Sequence, residues 1–369
     1  MTKTILLICV AVIALVLYLV DVGHILRSLG GRQSDARKAV AQKSGHYADG
    51  KFINSLPTRM MEEGSILKSL RLQFFGKERR VPDKVLPTRA GSARDFADGA
   101  ASGVRAMWIG HATVLAQVDG HFILTDPVWS ERASPSQKIG PKRFFDPPIS
   151  LSDLPPVKVV VVSHDHYDHL DMDTVDFLSA KGAIFVVPLG LGAHLESWEV
   201  PAAQIRELNW YESTNIDGLR ITVTPARHYS GRGLLDRDKT LWASFVIEGP
   251  NHKIFYSGDS GYFDEYRKIG DKFGPFDLTL IKVGACGPTW PDIHLTPEEA
   301  IRVHLEIKGK LLLPVHWGTF NLAFHAWNDP AIRSLKAARE SAVTITIPKP
   351  GEIIDIQGRP YLDEWWAID

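Results

Sequence analysis

Residues 163–170 read SHDHYDHL and follow directly on the apolar run Val157–Val162. The run predicts a buried strand, and the loop at its C-terminal end carries four donor side chains: His164, His166, Asp168 and His169. Imidazole and carboxylate are ligands that Zn²⁺ and related divalent ions take in proteins. Alternate side chains of an extended segment point the same way, so His164 and His166 can share one ion. Asp168 and His169 follow a bend and can hold a second ion. The stretch therefore predicts a site for two metals.

One segment cannot complete two coordination shells, so further donors are expected at the ends of later strands. His228, Asp259 and His316 each follow a short strand-like run, in ITVTPARHYSG, KIFYSGDSGY and LLLPVHWGTF. Strand ends are where an α/β scaffold presents its chemistry. Taken singly, each is more often an ordinary surface or capping residue. As a set they complete seven donors, and this favours a metal site over a polar loop that is His-rich by chance.

The HxHxDH core with its downstream donors resembles the metallo-β-lactamase superfamily of binuclear hydrolases. Longer flanking segments narrow the match: WIGHAT from Trp108, LTDPVWSERASP from Leu124, GDSGY from Gly258, PDIHLTPEEAIRVH from Pro291 and PVHWGTF from Pro314. Together they resemble the N-acylphosphatidylethanolamine-hydrolysing phospholipase D family. The similarity runs from about Phe52 to the C-terminus. It implies an α/β fold, the αββα sandwich, with the site on the rim between the sheets.

The resemblance implies two zinc ions per chain, one bound by His164, His166 and His228 and the other by Asp168, His169 and His316, with Asp259 bridging them. The implied activity is hydrolysis of N-acylphosphatidylethanolamine-like phospholipids to N-acylethanolamine and phosphatidic acid, by attack of a hydroxide held between the metals. Asp168 and His294 are the predicted catalytic residues. No GxSxG elbow offers a side-chain nucleophile. A lactonase, or another hydrolase of a water-soluble substrate with the same ligands, stays open because the fold does not choose the substrate.

His294 comes just before a predicted helix with Thr296 as N-cap, Pro297 at the first position and Glu299 completing a capping box. It is either a loop residue or a group that polarises a phosphoryl oxygen or assists the departing alcohol. His111 and Asp126 have two readings as well. They either orient metal-bound groups or stabilise turns at strand ends.

The N-terminal segment Ile5–Val20 is uncharged and largely apolar. As a helix it would be about 24 Å long, which is feasible for an anchor if flanking apolar residues lie at the interface of a bilayer core of about 30 Å. A cleaved signal peptide is the alternative, but no small-x-small site follows Val20. We therefore expect a membrane anchor or uncleaved signal segment in residues 1–26, a linker in 27–50 and one hydrolase domain in 51–369. Positive flanking charge favours the cytoplasmic side for this domain, with the periplasmic side open.

Composition agrees with one enzyme domain behind that anchor. The chain has 369 residues, 44% hydrophobic content and a formal net charge of −1. The balance gives no indication of nucleic-acid binding. Two cysteines, one of them in the apolar N-terminal segment, exclude a disulfide framework. The expected partners are a phospholipid substrate and a membrane, and a homodimer is left open.

Two further features have competing readings. Segment Ile66–Lys84 interleaves apolar and cationic residues. We expect a helix that packs its apolar face on the core, slightly ahead of one that contacts an anionic bilayer. Five aromatic residues either line an acyl groove or are ordinary core aromatics, the commoner fate: Trp129, Trp290, Trp317, Phe320 and Trp327.

Strand and helix patterns alternate along the rest of the chain. Helices are predicted at Met172–Ala180, Glu265–Phe273, Pro297–Lys308 and Pro330–Arg339. Strand candidates include Thr113–Val118, Val157–Ser163, Leu278–Lys282 and Thr344–Ile347. Periodicity alone predicts only a mixed α and β fold.

Overall fold

The structure is a computed structural model that describes residues 21–96 and 102–368. Its strands in chain order are β1 (Tyr47–Ala48), β2 (Lys51–Phe52), β3 (Val104–Gly110), β4 (Thr113–Val118), β5 (His121–Thr125), β6 (Val159–Val161), β7 (Ile184–Pro188), β8 (Ile205–Leu208), β9 (Ser213–Ile216), β10 (Leu219–Thr224), β11 (Ser244–Glu248), β12 (Lys253–Tyr256), β13 (Phe276–Lys282), β14 (Gly309–Val315) and β15 (Ile353–Asp355). Its α-helices are α1 (Asp35–Gln42), α2 (Ser65–Phe75), α3 (Met172–Ala180), α4 (Gly192–Ser197), α5 (Glu265–Phe273), α6 (Pro297–Glu306) and α7 (Asp329–Glu340).

Two large sheets form the core of the described residues. The first has the strand order β15-β3-β4-β5-β6-β7-β8 and the second the order β14-β13-β12-β11-β10-β9. Strand β3 shows how the first sheet divides its side chains. Ala106 and Trp108 pack toward the second sheet, while Met107 and Ile109 belong to a separate cluster with residues of α3. This alternation follows from the two-residue period of a strand. It buries both faces of the sheet, one against the other sheet and one against helices.

Helices α6 and α7 pack against each other, and α6 contacts β13 and β14 on the second sheet. Helix α6 begins at the predicted capping box, in which the Thr296 hydroxyl accepts from the Glu299 N–H and the Glu299 carboxylate accepts from the Thr296 N–H. With α3 and α4 on the first sheet, the layers are helix, sheet, sheet, helix. The predicted αββα sandwich is confirmed.

The sheet topology brings loops from both sheets to one rim. Strands β5 to β8 are parallel in the first sheet, and β12 to β14 are parallel in the second. Carboxyl ends of parallel strands meet at one edge of a sheet, where α/β folds place ligands. Two contacts join the edges: the Ala243 N–H donates to the Ser163 carbonyl and the His316 N–H to the His111 carbonyl.

The predicted anchor segment Ile5–Val20 lies outside the described residues. Residues 21–28 are helical, and within residues 21–96 and 102–368 no helix is long and apolar enough to cross a bilayer. The segment 27–50, predicted as a linker, contains α1 and is tied to the domain. Arg37 of α1 pairs with Glu196 at 2.6 Å and with Glu207 at 2.5 Å. Composition could not reveal these pairs, because the partners lie about 160 residues away in the chain.

Two other local predictions differ from the structure. Around the predicted strand Thr344–Ile347 the structure has only an isolated parallel bridge, between Leu312 and Ile345, and the C-terminal strand of the first sheet is β15. The preference for α2 packing its apolar face on the core is wrong. Its large apolar side chains are exposed, whereas Ser65 is buried.

Candidate metal centre

All seven predicted ligands meet at the rim. His164 to His169 lie on the loop after β6, His228 lies after β10, Asp259 after β12 and His316 directly after β14. The donor atoms fall into clusters that can hold metal: His164, His166 and His228 in one, Asp168, His169 and His316 with His111 in another, and Asp259 with His228 and His294 in a third. The structure shows that these seven side chains come together at one place. Their role as metal ligands remains a prediction.

The first donor set consists of three imidazoles. His166 Nδ1 lies 2.8 Å from His164 Nε2 and 3.4 Å from His228 Nε2. The opposite nitrogen of His228, Nδ1, donates to the Ile293 carbonyl at 3.0 Å, so Nε2 carries a lone pair. Burial lowers the pKa of His228 to about 3. The ring is therefore neutral, as metal ligation requires.

The second donor set combines a carboxylate with two imidazoles. Asp168 Oδ2 lies 3.5 Å from His169 Nε2 and 3.4 Å from His316 Nε2, and the two ring nitrogens are 3.1 Å apart. Two ligands of one tetrahedral zinc, each about 2.1 Å from the ion, are about 3.4 Å apart. The spacing of the second set fits a single ion.

Asp259 lies between the sets. Its Oδ2 atom is 3.0 Å from His316 Nε2, 3.4 Å from His169 Nε2 and 3.8 Å from His228 Nε2. Its Oδ1 atom is buried and has no hydrogen-bond partner among the described residues. One carboxylate thus reaches both sets and has an oxygen to spare, as a bridging ligand would.

Asp126 holds the second set in place from behind. Its carboxylate accepts from Ser163 N at 2.7 Å, from Ser163 Oγ and His169 Nδ1 at 2.5 Å each, and from the Tyr256 hydroxyl. His169 therefore turns Nε2 and its lone pair toward the site. Asp126 thus contacts a predicted ligand, as the orienting reading expects. Tyr256, on the other sheet, gave no indication in the sequence.

His111 combines both of its predicted readings. Its backbone has a left-handed φ of 51°, and its carbonyl accepts from His316 N and from Trp108 Nε1, so it shapes the turn after β3. Its side-chain Nε2 lies 2.9 Å from Asp168 Oδ2. Burial lowers the pKa of His111 to about 3. The neutral ring donates to Asp168 and orients that carboxylate.

The chemistry of the donors fits a cation. Several nitrogen lone pairs and two carboxylates face one another in a buried space, an arrangement that is repulsive without positive charge. Burial by itself would lower the pKa of His169, yet Asp259, Asp168 and Asp126 raise it well above its ordinary value. This point of the fold attracts positive charge, which metal ions supply.

His294 lies beside the metal centre and not on a remote loop. Its Nε2 atom is 4.0 Å from Asp259 Oδ2, and its ring centroid is 5.2 Å from that of His228. Burial, with Lys282 nearby, lowers the pKa of His294 well below its ordinary value. Its Nδ1 atom is buried and without a hydrogen-bond partner in the described part of the chain. The position is compatible with contact to a substrate.

Sequence reasoning missed a second support, built around Asp165 inside the HDH stretch. This buried carboxylate accepts from Gly231 N at 2.7 Å and Thr240 Oγ1 at 2.8 Å, and His194 Nε2 lies 3.3 Å away. Arg232 donates to the Asp165 carbonyl at 2.6 Å. These contacts fix the loop that carries four donors. The unassigned Asp between His164 and His166 was the only indication available in the sequence.

Two openings flank the donors. A cleft of about 360 Å³ lies beside His228 and Tyr229 and includes Asn54 and Trp242. A small cavity at His111 and His316 is lined by aromatic residues, among them three of the five predicted ones: Trp317, Phe320 and Trp327. Trp129 is elsewhere and donates its indole N–H to the Ile149 carbonyl, and the Trp290 ring contacts the Phe324 ring in a tilted arrangement. The three in the cavity are also buried core residues.

The family model described as "Beta-lactamase superfamily domain" matches residues 121–317, which is more than half of the chain and includes all seven predicted ligands. The chain belongs to this superfamily. A metallo hydrolase from the archaeon Ignicoccus hospitalis has a similar fold, with a TM-score of 0.54 at 23% identity over 69% of this chain and 98% of that one. The predicted metallo-β-lactamase fold is confirmed.

Full-length relatives narrow the family. An uncharacterized protein of Mycobacterium tuberculosis is 45% identical over 92% of this chain and 91% of its own length. N-acyl-phosphatidylethanolamine-hydrolyzing phospholipase D 1 of Caenorhabditis elegans is 37% identical over 80% of this chain and 87% of its own length. The predicted resemblance to this phospholipase D family is confirmed, and the chain is a metal-dependent hydrolase of the metallo-β-lactamase fold.

Proposed function

We propose that this hydrolase is a binuclear zinc phosphodiesterase that cleaves N-acylphosphatidylethanolamine-like phospholipids to N-acylethanolamine and phosphatidic acid. The observation that carries the proposal is the position of Asp259 Oδ2 within 4 Å of His316, His169 and His228, which makes one carboxylate common to both donor sets. The similarity to the nematode phospholipase supports the choice of substrate. Imidazole and carboxylate donors at these spacings suit zinc.

In this proposal a water oxygen bonds to phosphorus. The bond between phosphorus and the oxygen that becomes the hydroxyl of N-acylethanolamine breaks, and this departing alkoxide takes a proton. Zinc ions held by these donors would lower the pKa of a bound water and neutralise charge on the phosphoryl oxygens. The protein's part is positional. Asp126 and His111 hold His169 and Asp168 in place by hydrogen bonds at 2.5 and 2.9 Å. The donors are thus set before the substrate binds, which lowers the cost of organising the site.

His294 is proposed to touch the substrate. At 4.0 Å from Asp259 its Nε2 atom is too far for a hydrogen bond to that carboxylate, yet it faces the same space. An oxygen of the phosphoryl group or of the departing alcohol can lie between them. His294 would donate a hydrogen bond there, which either polarises the phosphoryl oxygen or assists the alcohol.

The decisive experiment is hydrolysis of N-acylphosphatidylethanolamine in mixed micelles by the zinc-loaded chain, alongside a panel of lactones. We expect release of N-acylethanolamine and phosphatidic acid, loss of both in Asp259→Asn and normal rates in Asp271→Asn. Asp271 is an exposed surface carboxylate and serves as a matched control. Turnover of a lactone that is sensitive to Asp259→Asn, with none of the lipid, would refute the phospholipase assignment.

We also propose that residues 1–26 anchor the chain in a membrane with the hydrolase domain on the cytoplasmic side, because Ile5–Val20 is uncharged and no cleavage signal follows it. Cell fractionation tests this. The full chain should sediment with membranes, and its domain should resist protease added to the outside of intact cells. Recovery of an N-terminally shortened chain from the supernatant would instead support a cleaved signal.

A further inference from the structure

Helix α2 presents its large apolar side chains to solvent. The exposed fractions are 68% for Ile66, 77% for Leu67, 49% for Leu70, 73% for Phe74 and 78% for Phe75. At 100° per residue, the first four of these fall within about 100° of the helix circumference. They form one continuous apolar face.

The face that α2 turns toward the protein carries two serines and a single leucine. Ser65 is buried, and Ser69 and Leu72 are half-buried. An ordinary surface helix of a globular protein does the reverse and buries its apolar stripe. A contiguous exposed apolar face marks an interaction surface.

Helix α2 and the segment that follows it are basic, whereas Glu62 and Glu63 precede the helix. Residues 64–84 contain six cationic and two acidic side chains, a net charge of +4, although the whole chain has a net charge of −1. Lys68 and Arg71 lie within the helix itself, about 100° and about 40° from the edge of the apolar face. Apolar side chains combined with cations are the composition of helices that lie in the interface of an anionic bilayer.

Both ends of α2 are fixed to loops that surround the metal centre. Before the helix, Glu62 N donates to the Thr289 carbonyl, in the loop that leads to His294. After the helix, Trp327 N donates to the Arg79 carbonyl, and Arg80 lies over the Phe324 ring at 5.9 Å. Arg80 also lines the small cavity at His316. The apolar face therefore lies beside an opening to the predicted ligands.

We propose that α2 is a docking surface for an anionic phospholipid bilayer, which it enters with Ile66, Leu67, Leu70 and Phe74 while Lys68 and Arg71 contact lipid phosphates. Eleven residues make a helix of about 16 Å, so α2 lies in the interface and does not span the bilayer. Docking in this way places the metal centre where a phospholipid can enter it without crossing water.

A second copy of the same chain is a poorer occupant. Two symmetry-related copies of α2 would place Lys68 and Arg71 against their own equivalents, and like charges across an interface are repulsive. The choice of a lipid as the partner rests on the proposed function. The observation that the apolar face is exposed does not depend on that function. The test below therefore uses a bilayer that contains no substrate.

Hydrogen–deuterium exchange of the full chain on vesicles measures the protection of each segment separately. Binding of an N-terminal anchor to the vesicles therefore does not mask the effect at α2. The comparison is between phosphatidylglycerol vesicles and phosphatidylcholine vesicles. We expect amides of Ser65–Phe75 to exchange about tenfold more slowly on the anionic vesicles, while α6 and α7 are unchanged. These two helices carry the exposed Leu305 and Ile332 and serve as internal controls. Equal exchange of α2 on both vesicles and in solution would overturn the proposal.

Paired variants then separate the apolar from the charged contribution. Leu70→Ser with Phe74→Ser should abolish the protection, whereas Leu305→Ser with Ile332→Ser, which removes exposed apolar residues of α6 and α7, should not. Lys68→Gln with Arg71→Gln should weaken the anionic preference by about twenty-fivefold, at about fivefold per cation. Protection that depends on protein concentration and needs no vesicles would identify self-association and refute the bilayer. Failure of lipid hydrolysis with intact protection would refute only the proposed function.

Discussion

The two donor sets contain similar side chains but have different supports. In the second set His169 Nδ1 contacts the buried carboxylate of Asp126, which also accepts from Ser163 and Tyr256. In the first set His228 Nδ1 donates to a neutral backbone carbonyl at 3.0 Å. A charged partner makes an imidazole a stronger donor to a metal and fixes its orientation more firmly. We therefore expect the second set to bind its ion more tightly than the first.

Removal of the carboxylate shared by the two sets should abolish the difference in metal affinity between them. Asp259→Asn takes away the one oxygen that reaches His316, His169 and His228. We expect both equivalents of metal to be lost on dialysis and turnover to fall at least about 10³-fold. Elemental analysis and turnover measure the two effects. Retention of two equivalents with normal turnover would show that Asp259 is not common to the sets.

A substitution outside both sets should change turnover alone. His294→Asn removes a side chain that lies beside Asp259 but belongs to neither set of three donors. We expect kcat to fall about 10²-fold, the usual size of a contribution from proton or hydrogen-bond donation, with the metal content unchanged. Loss of metal in this variant would instead make His294 a ligand.

Neutralising the support of the second set tests the comparison directly. Asp126→Asn keeps the shape of the side chain but removes its charge behind His169. We expect the affinity of the tighter site to fall by about 10 to 100-fold, with the weaker site nearly unchanged. Titration with a competing chelator resolves the two sites. Equal weakening of both sites would mean that Asp126 stabilises the whole rim and not one set.

The smallest loss of metal affinity is expected when Asn54, which holds the backbone of His228 in the first set, is substituted. Asn54 Nδ2 donates to the His228 carbonyl at 2.7 Å and its Oδ1 accepts from His228 N at 3.1 Å. Asn54→Ala removes two hydrogen bonds worth about 1 kcal/mol each. Both are to the His228 backbone, so only part of this loss reaches the ring, and the affinity of the weaker site should fall by less than about tenfold. The same chelator titration measures it. A larger loss here than in Asp126→Asn would reverse the proposed ranking.

Local sequence predicted the parts of the site that depend on neighbouring residues. SHDHYDHL after a Val-rich run predicted the donor loop, and the capping box at Thr296 predicted the start of α6, which begins at Pro297. Helix Met172–Ala180 has the predicted bounds. Strand patterns, turn residues and caps act over a few positions, so they can be recognised in the sequence without knowledge of the fold.

The long-range partners that support the site could not be predicted in this way. Tyr256 and Asp126 are 130 residues apart and lie on different sheets. Arg37, in the segment predicted as a linker, pairs with Glu196 and Glu207. Asp126 was a candidate orienting residue from its sequence motif, but the sequence around Tyr256 and Arg37 indicates no such role. Their roles follow from the packing of one sheet on the other and of the N-terminal segment on the domain.

The sequence by itself determined that the protein carries the donors for metal-dependent chemistry. The numbers and types of donor after its strands select for divalent metal ions, because ligand preference is a property of the side chains. Only the tertiary structure decided which imidazole has a charged partner and which face of α2 meets solvent. The apolar pattern of Ser65–Phe75 is the same whether it is buried or exposed, and what settles it is the presence or absence of a packing partner at that place in the fold.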